Sequence, residues 1–255
     1  MRYALISDIH SNLEALTAVC AVLDAQKVDQ TYCLGDLVGY GPQPNEVVAE
    51  IQRRCGTHVI LGNHDIAVLK PDERNYMNEH AAAAISYTID VLTHESASYL
   101  ASLPSMLVTP DMHLFHGDYP DNPFDYIIGS VDAGETLGKI RTSTTPYTVA
   151  FFGHTHVPAL YHLNAQGRFS APPLPFPFPA SYTVTLPSQS TVLVNVGSVG
   201  QPRDRDNRAC FVIYDTDKRE ITWHRVAYDI PTTQAKIREC KGVTRHTADR
   251  LEGGY

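Results

Sequence analysis

This chain is short of thiol chemistry, of basic charge and of long apolar runs. Its five cysteines (Cys20, Cys33, Cys55, Cys210 and Cys240) are odd in number and include no C-x-x-C pair. That spacing excludes a disulfide framework and a thiolate zinc site, and leaves core packing as their role. Lys and Arg number 20 against 28 Asp and Glu, for a formal charge of −8 and a pI near 5.8. Counterion release on nucleic acid needs a concentrated basic surface, so a dedicated nucleic-acid binder is not expected. A small anionic ligand remains compatible if metal ions supply the positive charge. No stretch approaches the ~18 apolar residues of a membrane span. Arg2-Tyr3-Ala4-Leu5-Ile6 enters a strand directly, with no signal-peptide pattern, so no membrane association and a cytoplasmic location are expected. No fixed-period repeat points to a solenoid or propeller. At 255 residues and 43% hydrophobic, the chain suits one domain, 1–255, with an excursion inside it.

What is present is a series of five polar clusters: Asp8-Ile9-His10, Gly35-Asp36, Gly62-Asn63-His64-Asp65, His116-Gly117-Asp118 and Gly153-His154-Thr155-His156. Each follows an apolar, β-branched or aromatic run (Tyr3 to Ile6, Tyr32 to Leu34, His58 to Leu61, Met112 to Phe115, Thr148 to Phe152), which predicts a buried strand delivering polar residues at its end. Ligands in open α/β sheets gather at such ends. Helices are predicted after Ser11-Asn12-Leu13-Glu14, a capping-box pattern, and over Pro44 to Arg54. Two further helical stretches, Glu79 to Leu92 and Glu95 to Leu103, fall in a segment of about 72–104 that is expected to overhang the strand ends as a small cap. A helix near Val131 to Arg141, strands at Met106 to Thr109, Thr191 to Val196, Ala209 to Tyr214 and Ile221 to Ala227, and a final helix near Thr232 to Cys240 complete the reading. The proline-rich segment of about 171–187 is expected as an extended loop packed on the core.

Asp8 and His10, two apart, share a face on a continuing strand and can chelate one ion. Asp36, behind the Cβ-free Gly35, has two oxygens able to bridge two cations about 3.5 to 4 Å apart. Asn63 offers an amide oxygen, His64 an imidazole, and Asp65 a carboxylate able to hold that imidazole's other nitrogen. His154 and His156 alternate along their strand end and can serve different ions, with His116 as a further nitrogen donor. The donors are all O or N, which suits Mn, Fe, Ni, Zn or Mg. The other seven histidines (His58, His80, His94, His113, His162, His224 and His246) lack this context and are expected in structural roles.

In these motifs (D-x-H, G-D, G-N-H-[DE], H and G-H-x-H) the sequence resembles the calcineurin-like metallophosphoesterases. Gly39-Tyr40-Gly41-Pro42, the run Asn195 to Arg203, and Tyr228-Asp229-Ile230 look like the small bacterial and archaeal phosphodiesterase branch. The resemblance, from Met1 to about Leu251, implies an αββα sandwich of two mixed β-sheets flanked by helices. By position it assigns one metal to Asp8, His10, Asp36 and His156, and a second to Asp36, Asn63, His116 and His154. It makes His64 the general acid, charged as imidazolium and oriented by Asp65. It implies two divalent ions, with Mn the working ion in vitro, and attack of a metal-bridging hydroxide on phosphorus.

Family protein phosphatases continue the second motif to an Asp-Arg-Gly whose arginine grips phosphate, whereas Val38-Gly39-Tyr40-Gly41 follows here. A phosphoprotein monoester would lose a bidentate contact, which favours a phosphodiester or a nucleotide phosphoanhydride. Arg203 and Arg205, which follow the Gly197 to Pro202 loop, are candidate replacements for that arginine. Tyr40 is a candidate to stack on a base, with packing as its competing role. The expected partner is a small phosphorylated or nucleotide substrate. Hydrolysis of dinucleoside polyphosphates or phosphomonoesters, and a non-catalytic scaffold, are the competing readings. Ser11 stands where the branch commonly has glycine, and Val196 where it often has proline.

Overall fold

The computed structural model describes residues 1–143 and 148–255. In chain order the strands are β1 (Arg2–Ile6), β2 (Gln30–Cys33), β3 (Met106–Val108), β4 (Met112–Phe115), β5 (Val149–Phe152), β6 (Ala159–Asn164), β7 (Phe169–Ser170), β8 (Ser181–Thr185), β9 (Ser190–Asn195), β10 (Ala209–Asp215) and β11 (Glu220–Val226). The helices are α1 (Leu13–Gln26), α2 (Pro44–Cys55), α3 (Asn63–Leu69), α4 (Glu79–Val91), α5 (His94–Ala101), α6 (Ser130–Ser143), α7 (Ile230–Glu239) and α8 (Arg245–Gly253). One sheet has the order β2-β1-β10-β11-β8 and the other β3-β4-β5-β9-β6-β7. Both are mixed: β1–β2, β4–β5 and β5–β9 pair in parallel, and the remaining neighbours are antiparallel.

The two-residue period of the strands sets the layers. Tyr3 and Leu5 of β1 point to the second sheet, where they join Leu114, Phe151, Val192, Val194, Val212 and Trp223 in an inter-sheet core. Ala4 and Ile6 point the other way, with Phe211 and Ile213, and pack under α1 and α2 through Leu16, Val19, Val48 and Ile51. On the outer face of the second sheet, Phe115, Ala150, Phe152 and Leu193 meet Ala133, Leu137 and Ile140 of α6. The result is an αββα sandwich.

Four local expectations change. Thr57 to Leu61 is no strand: Val59 makes an isolated parallel bridge to Cys33, and Leu61 N donates to Pro104 O as the chain turns away toward α3. The 72–104 segment packs into the body more than it overhangs. Ile85, Leu100 and Leu103 lie in the core beneath the first sheet, and only the edge from Tyr76 to Ala81 reaches the cavity beside His64. The proline-rich segment ends in a strand, β8, whose alternating Ser-Tyr-Thr-Val-Thr lies on the sheet edge beside β11. Its Phe178 and Leu174 pack against the inter-sheet core. Lastly, α7 is followed by α8, whose Ala248 and Leu251 close on Ile237. All five cysteines are free and four are buried.

Candidate metal centre

The chain leaving β1 runs beside the chain leaving β2, continuing their parallel pairing past the strand ends. Asp8 N donates to Gly35 O (3.0 Å), His10 N to Asp36 O (3.0 Å) and Ser11 N to Leu37 O (2.9 Å). From the other flank, Val199 N donates to Ser7 O and Gly200 N to Asp8 O, both at 2.9 Å, while Gly153 N donates to His116 O (3.1 Å). This backbone stitching fixes four of the polar clusters before any side chain is considered. The expectation that strand alternation aims the donors is corrected here. β1 stops at Ile6 and β5 at Phe152, and Asp8 (φ 53°), His10 (φ 50°), Asp36 (φ 52°), His154 (φ 65°) and His156 (φ 61°) all sit in the left-handed region. Such backbone costs about 1–3 kcal/mol per residue and persists where surrounding structure imposes it.

The turned side chains converge in two groups, Asp8, His10, Asp36 and His156, and Asp36, His116 and His154, with donor atoms within 4.8 Å of one another in each. Asp36 belongs to both. Its Oδ2 lies 3.3 Å from His116 Nε2 and 3.6 Å from His10 Nε2, while its Oδ1 accepts from His64 N (2.9 Å). Asp8 Oδ1 is 3.2 Å from His156 Nε2, and the Asp8 carboxylate also accepts from His154 N. Asn63, at the start of α3, is buried, and its Oδ1 has no hydrogen-bond partner. Asp118 lies outside both groups; it holds α6 through Thr136 and Lys139. None of the other seven histidines joins either group among the described residues.

The ring orientations suit a cation. Nδ1 of His10 pairs with Val38 O (3.1 Å), that of His116 with Leu34 O (2.7 Å) and that of His156 with Gln201 O (2.6 Å). A ring that donates Nδ1–H to a carbonyl presents an Nε2 lone pair inward when neutral. His10 Nε2 and His156 Nε2 face each other at 3.1 Å. Two confronting lone pairs and an unpartnered buried amide oxygen fit a bound divalent ion. Burial pushes His10 well below the ordinary imidazole range against the pull of Asp36, lowers His156, and takes His154 down to about 3. Burial works to raise the Asp8 and Asp36 carboxyls, but the imidazoles of His156 and His116 hold them below the usual carboxylate range. Burial also opposes charge on His116, yet Asp36 and Asp8 raise it to about 9.

His64 stands beside the groups, its ring 4.7 Å from that of His10 and 4.6 Å from that of Tyr40. Burial lowers its pKa to about 4, with Asp36 opposing and Arg203 assisting, which works against the expected imidazolium. Nor does Asp65 orient it. Asp65 Oδ1 accepts from Leu37 N (3.0 Å) and Val38 N (3.1 Å), and Oδ2 from Gly62 N (3.0 Å), while His64 Nδ1 is buried without a partner. A carboxylate able to accept several bonds is taken by three backbone donors, and it positions the loops that carry Asp36 and His64. Gly39 makes the room for that ring: its φ is 88°, and a Cβ there would strike His64 Nδ1. A Cβ at Gly62 would likewise strike Asp36 Oδ1.

Tyr40 is buried, with Arg203 over its ring at 5.8 Å. Arg203 Nη2 donates to Gln201 Oε1 (2.8 Å) and its backbone N to His156 O (3.3 Å), which places it at the site. Arg205 is exposed. The residue-based reading missed Tyr126 and Phe124. Tyr126 stacks on His154 with centroids 3.8 Å apart, and Phe124 O pairs with His154 Nε2 at 3.3 Å. Their only signal was two aromatic residues in the loop following the His116 cluster.

Two sheets whose strand-end loops pool buried carboxylates and imidazoles define a class of α/β protein built to hold cations. Within it, the chain belongs to the calcineurin-like phosphoesterase superfamily, whose domain model matches residues 1–219. The family is metal-dependent, and the donor groups above are the matching candidate site. The uncharacterized protein MJ0912 of Methanocaldococcus jannaschii is 34% identical over 240 residues, covering 92% of this chain and 90% of that protein. The crystal structure of a metallophosphoesterase from Sphaerobacter thermophilus is similar at 34% identity and a TM-score of 0.82, covering 100% and 99% of the two chains. The hypothetical protein PH1004 of Pyrococcus horikoshii OT3 shares the fold at 21% identity and a TM-score of 0.77, covering 100% and 98%. No helix among the described residues is long and apolar enough to cross a membrane.

Proposed function

We propose that this protein hydrolyses phosphodiesters with two divalent ions, one held by Asp8, His10, Asp36 and His156 and the other by Asp36, Asn63, His116 and His154. The observation that carries the reading is Asp36, whose carboxylate is common to both donor groups. When bound, such ions neutralise phosphoryl oxygens and lower the pKa of water toward ~7. In the reaction a water oxygen bonds to phosphorus and the P–O bond to the leaving group breaks; the leaving oxygen takes one proton and solvent takes the other. His64, which lines the adjoining cavity, donates a hydrogen bond to the leaving oxygen. Arg203 brings one guanidinium to the site, which suits the single negative charge of a diester better than the double charge of a monoester. Manganese as the working ion, a small nucleotide or other phosphorylated substrate and a cytoplasmic location belong to the same proposal; the free, buried cysteines accord with a reducing compartment. A complete donor set beside His64 argues against a scaffold.

The test is the initial rate on bis-p-nitrophenyl phosphate, p-nitrophenyl phosphate and diadenosine tetraphosphate, using protein stripped of metal and reloaded with Mn. A diester preference that vanishes on stripping is the expected result. Preference for the anhydride or the monoester would replace this reading, and silence on all three with ions bound would favour the scaffold.

A further inference from the structure

Two cavities flank the donor groups, and among the described residues Tyr126 alone lines both. The first, about 280 Å³, contains His64 together with Tyr40, Asn63, Tyr76 and Asn78. The second, about 270 Å³, is walled by Tyr126, Ile128, Thr155, Val157, Ala159 and Tyr161. Thr155 and Val157 flank His156 in the chain, and the Tyr126 ring rests on His154, so this second cavity adjoins the donor groups from the other flank. It is largely apolar and carries no charged side chain among the described residues. Ile128 is 77% exposed at its rim, Tyr126 48% and Val157 38%. A cavity of about 150 Å³ with such walls is enough for benzene.

We infer that this second cavity holds the retained ester group of the substrate, and that the group is apolar, aromatic or alkyl. The inference rests on the phosphodiesterase reading and deepens it. In-line displacement sends the leaving group toward the hydrogen-bond donor, here His64 in the first cavity, while the other ester group stays bonded to phosphorus and needs space elsewhere. A monoester has no such group. A polyphosphate would bring further negative charge into a cavity whose walls offer no cation to meet it. Chemistry and linings therefore agree on an asymmetric diester: water adds to phosphorus, the alcohol on the His64 side departs with a proton, and the product is the monophosphate of the apolar group. Tyr126, between the cavities, sets which group goes where.

The experiment compares methyl, phenyl and thymidine-5′ esters of p-nitrophenyl phosphate, which share one leaving group, on the Mn-loaded protein and on Ala159→Phe and Ile128→Glu. Ala159→Phe fills the cavity, and Ile128→Glu charges an exposed rim position that folding tolerates. The phenyl ester is expected to exceed the methyl ester about tenfold in kcat/KM, and both variants are expected to bring that ratio near one. A phenyl-to-methyl ratio that is the same in all three proteins would overturn the inference while leaving the phosphodiesterase reading intact. A thymidine ester faster than the phenyl ester would overturn the apolar assignment. No release of p-nitrophenol from any diester, with ions bound, would remove the phosphodiesterase reading and this inference with it.

Discussion

Ser11 concentrates three costs in one residue: it is fully buried, its φ is 54°, and its hydroxyl has no partner. A left-handed conformation costs an L-residue about 1–2 kcal/mol, and an unsatisfied buried hydroxyl about 1–3 kcal/mol. Glycine removes both at the expense of a freer unfolded chain, so Ser11→Gly is expected to stabilise the protein by about 1 kcal/mol. A urea midpoint that stays put or falls would refute this account. His64 differs, because its surroundings are arranged around it. Gly39 clears its ring, Tyr40 packs on it, and its Nδ1 is left free. His64→Ala is expected to lower kcat by about 10²–10⁴ while metal content, measured by elemental analysis, stays at the wild-type level. Turnover close to wild type would take His64 out of the reaction.

At the level of elements, the two sheets are joined by Trp223 of β11. It is buried between them and donates Nε1–H to Asn195 O at the end of β9 (3.0 Å). The Asn195 side chain in turn donates to Gly153 O (2.7 Å) and Thr155 Oγ1 (2.9 Å), holding the loop that carries His154 and His156. Trp223→Phe keeps a ring but leaves that carbonyl without its donor, so a loss of about 1–3 kcal/mol is expected in denaturant unfolding. A loss below about 0.5 kcal/mol would mean the bond does not couple the sheets. The same elements show what a sequence can reveal. Buried runs such as Val-Ala-Phe-Phe and Ser-Thr-Val-Leu-Val-Asn are apolar enough to be read directly, whereas β6 to β8 are edge-side, half polar and partly hidden by prolines. α8 is brief and largely polar outside Thr247, Ala248 and Leu251. The histidines and aspartates of the site were legible as types in order. Their aim was not, because left-handed loops and backbone stitching set it, and that same stitching claimed the Asp65 carboxylate.

For the whole molecule, the donors divide between the sheets. Asp8, His10 and Asp36 come from loops after β1 and β2 of one sheet, and His116, His154 and His156 from loops after β4 and β5 of the other. Ions bound between them would tie the halves of the sandwich together and would relieve the confronted lone pairs of His10 and His156. Anything that binds only the folded state stabilises it, by about 2.7 kcal/mol at a hundredfold excess over Kd. For a chain of this length that corresponds to a rise in Tm on the order of 5–10 °C between chelated and Mn-loaded protein. Asp36→Asn, which weakens the one carboxylate both groups share, is expected to lose most of that rise and most of the bound metal, whereas His64→Ala is expected to keep both. If Mn raises the Tm of Asp36→Asn as much as that of the wild type, with two ions bound in each, Asp36 is not the bridge and the centre must be divided differently between the sheets.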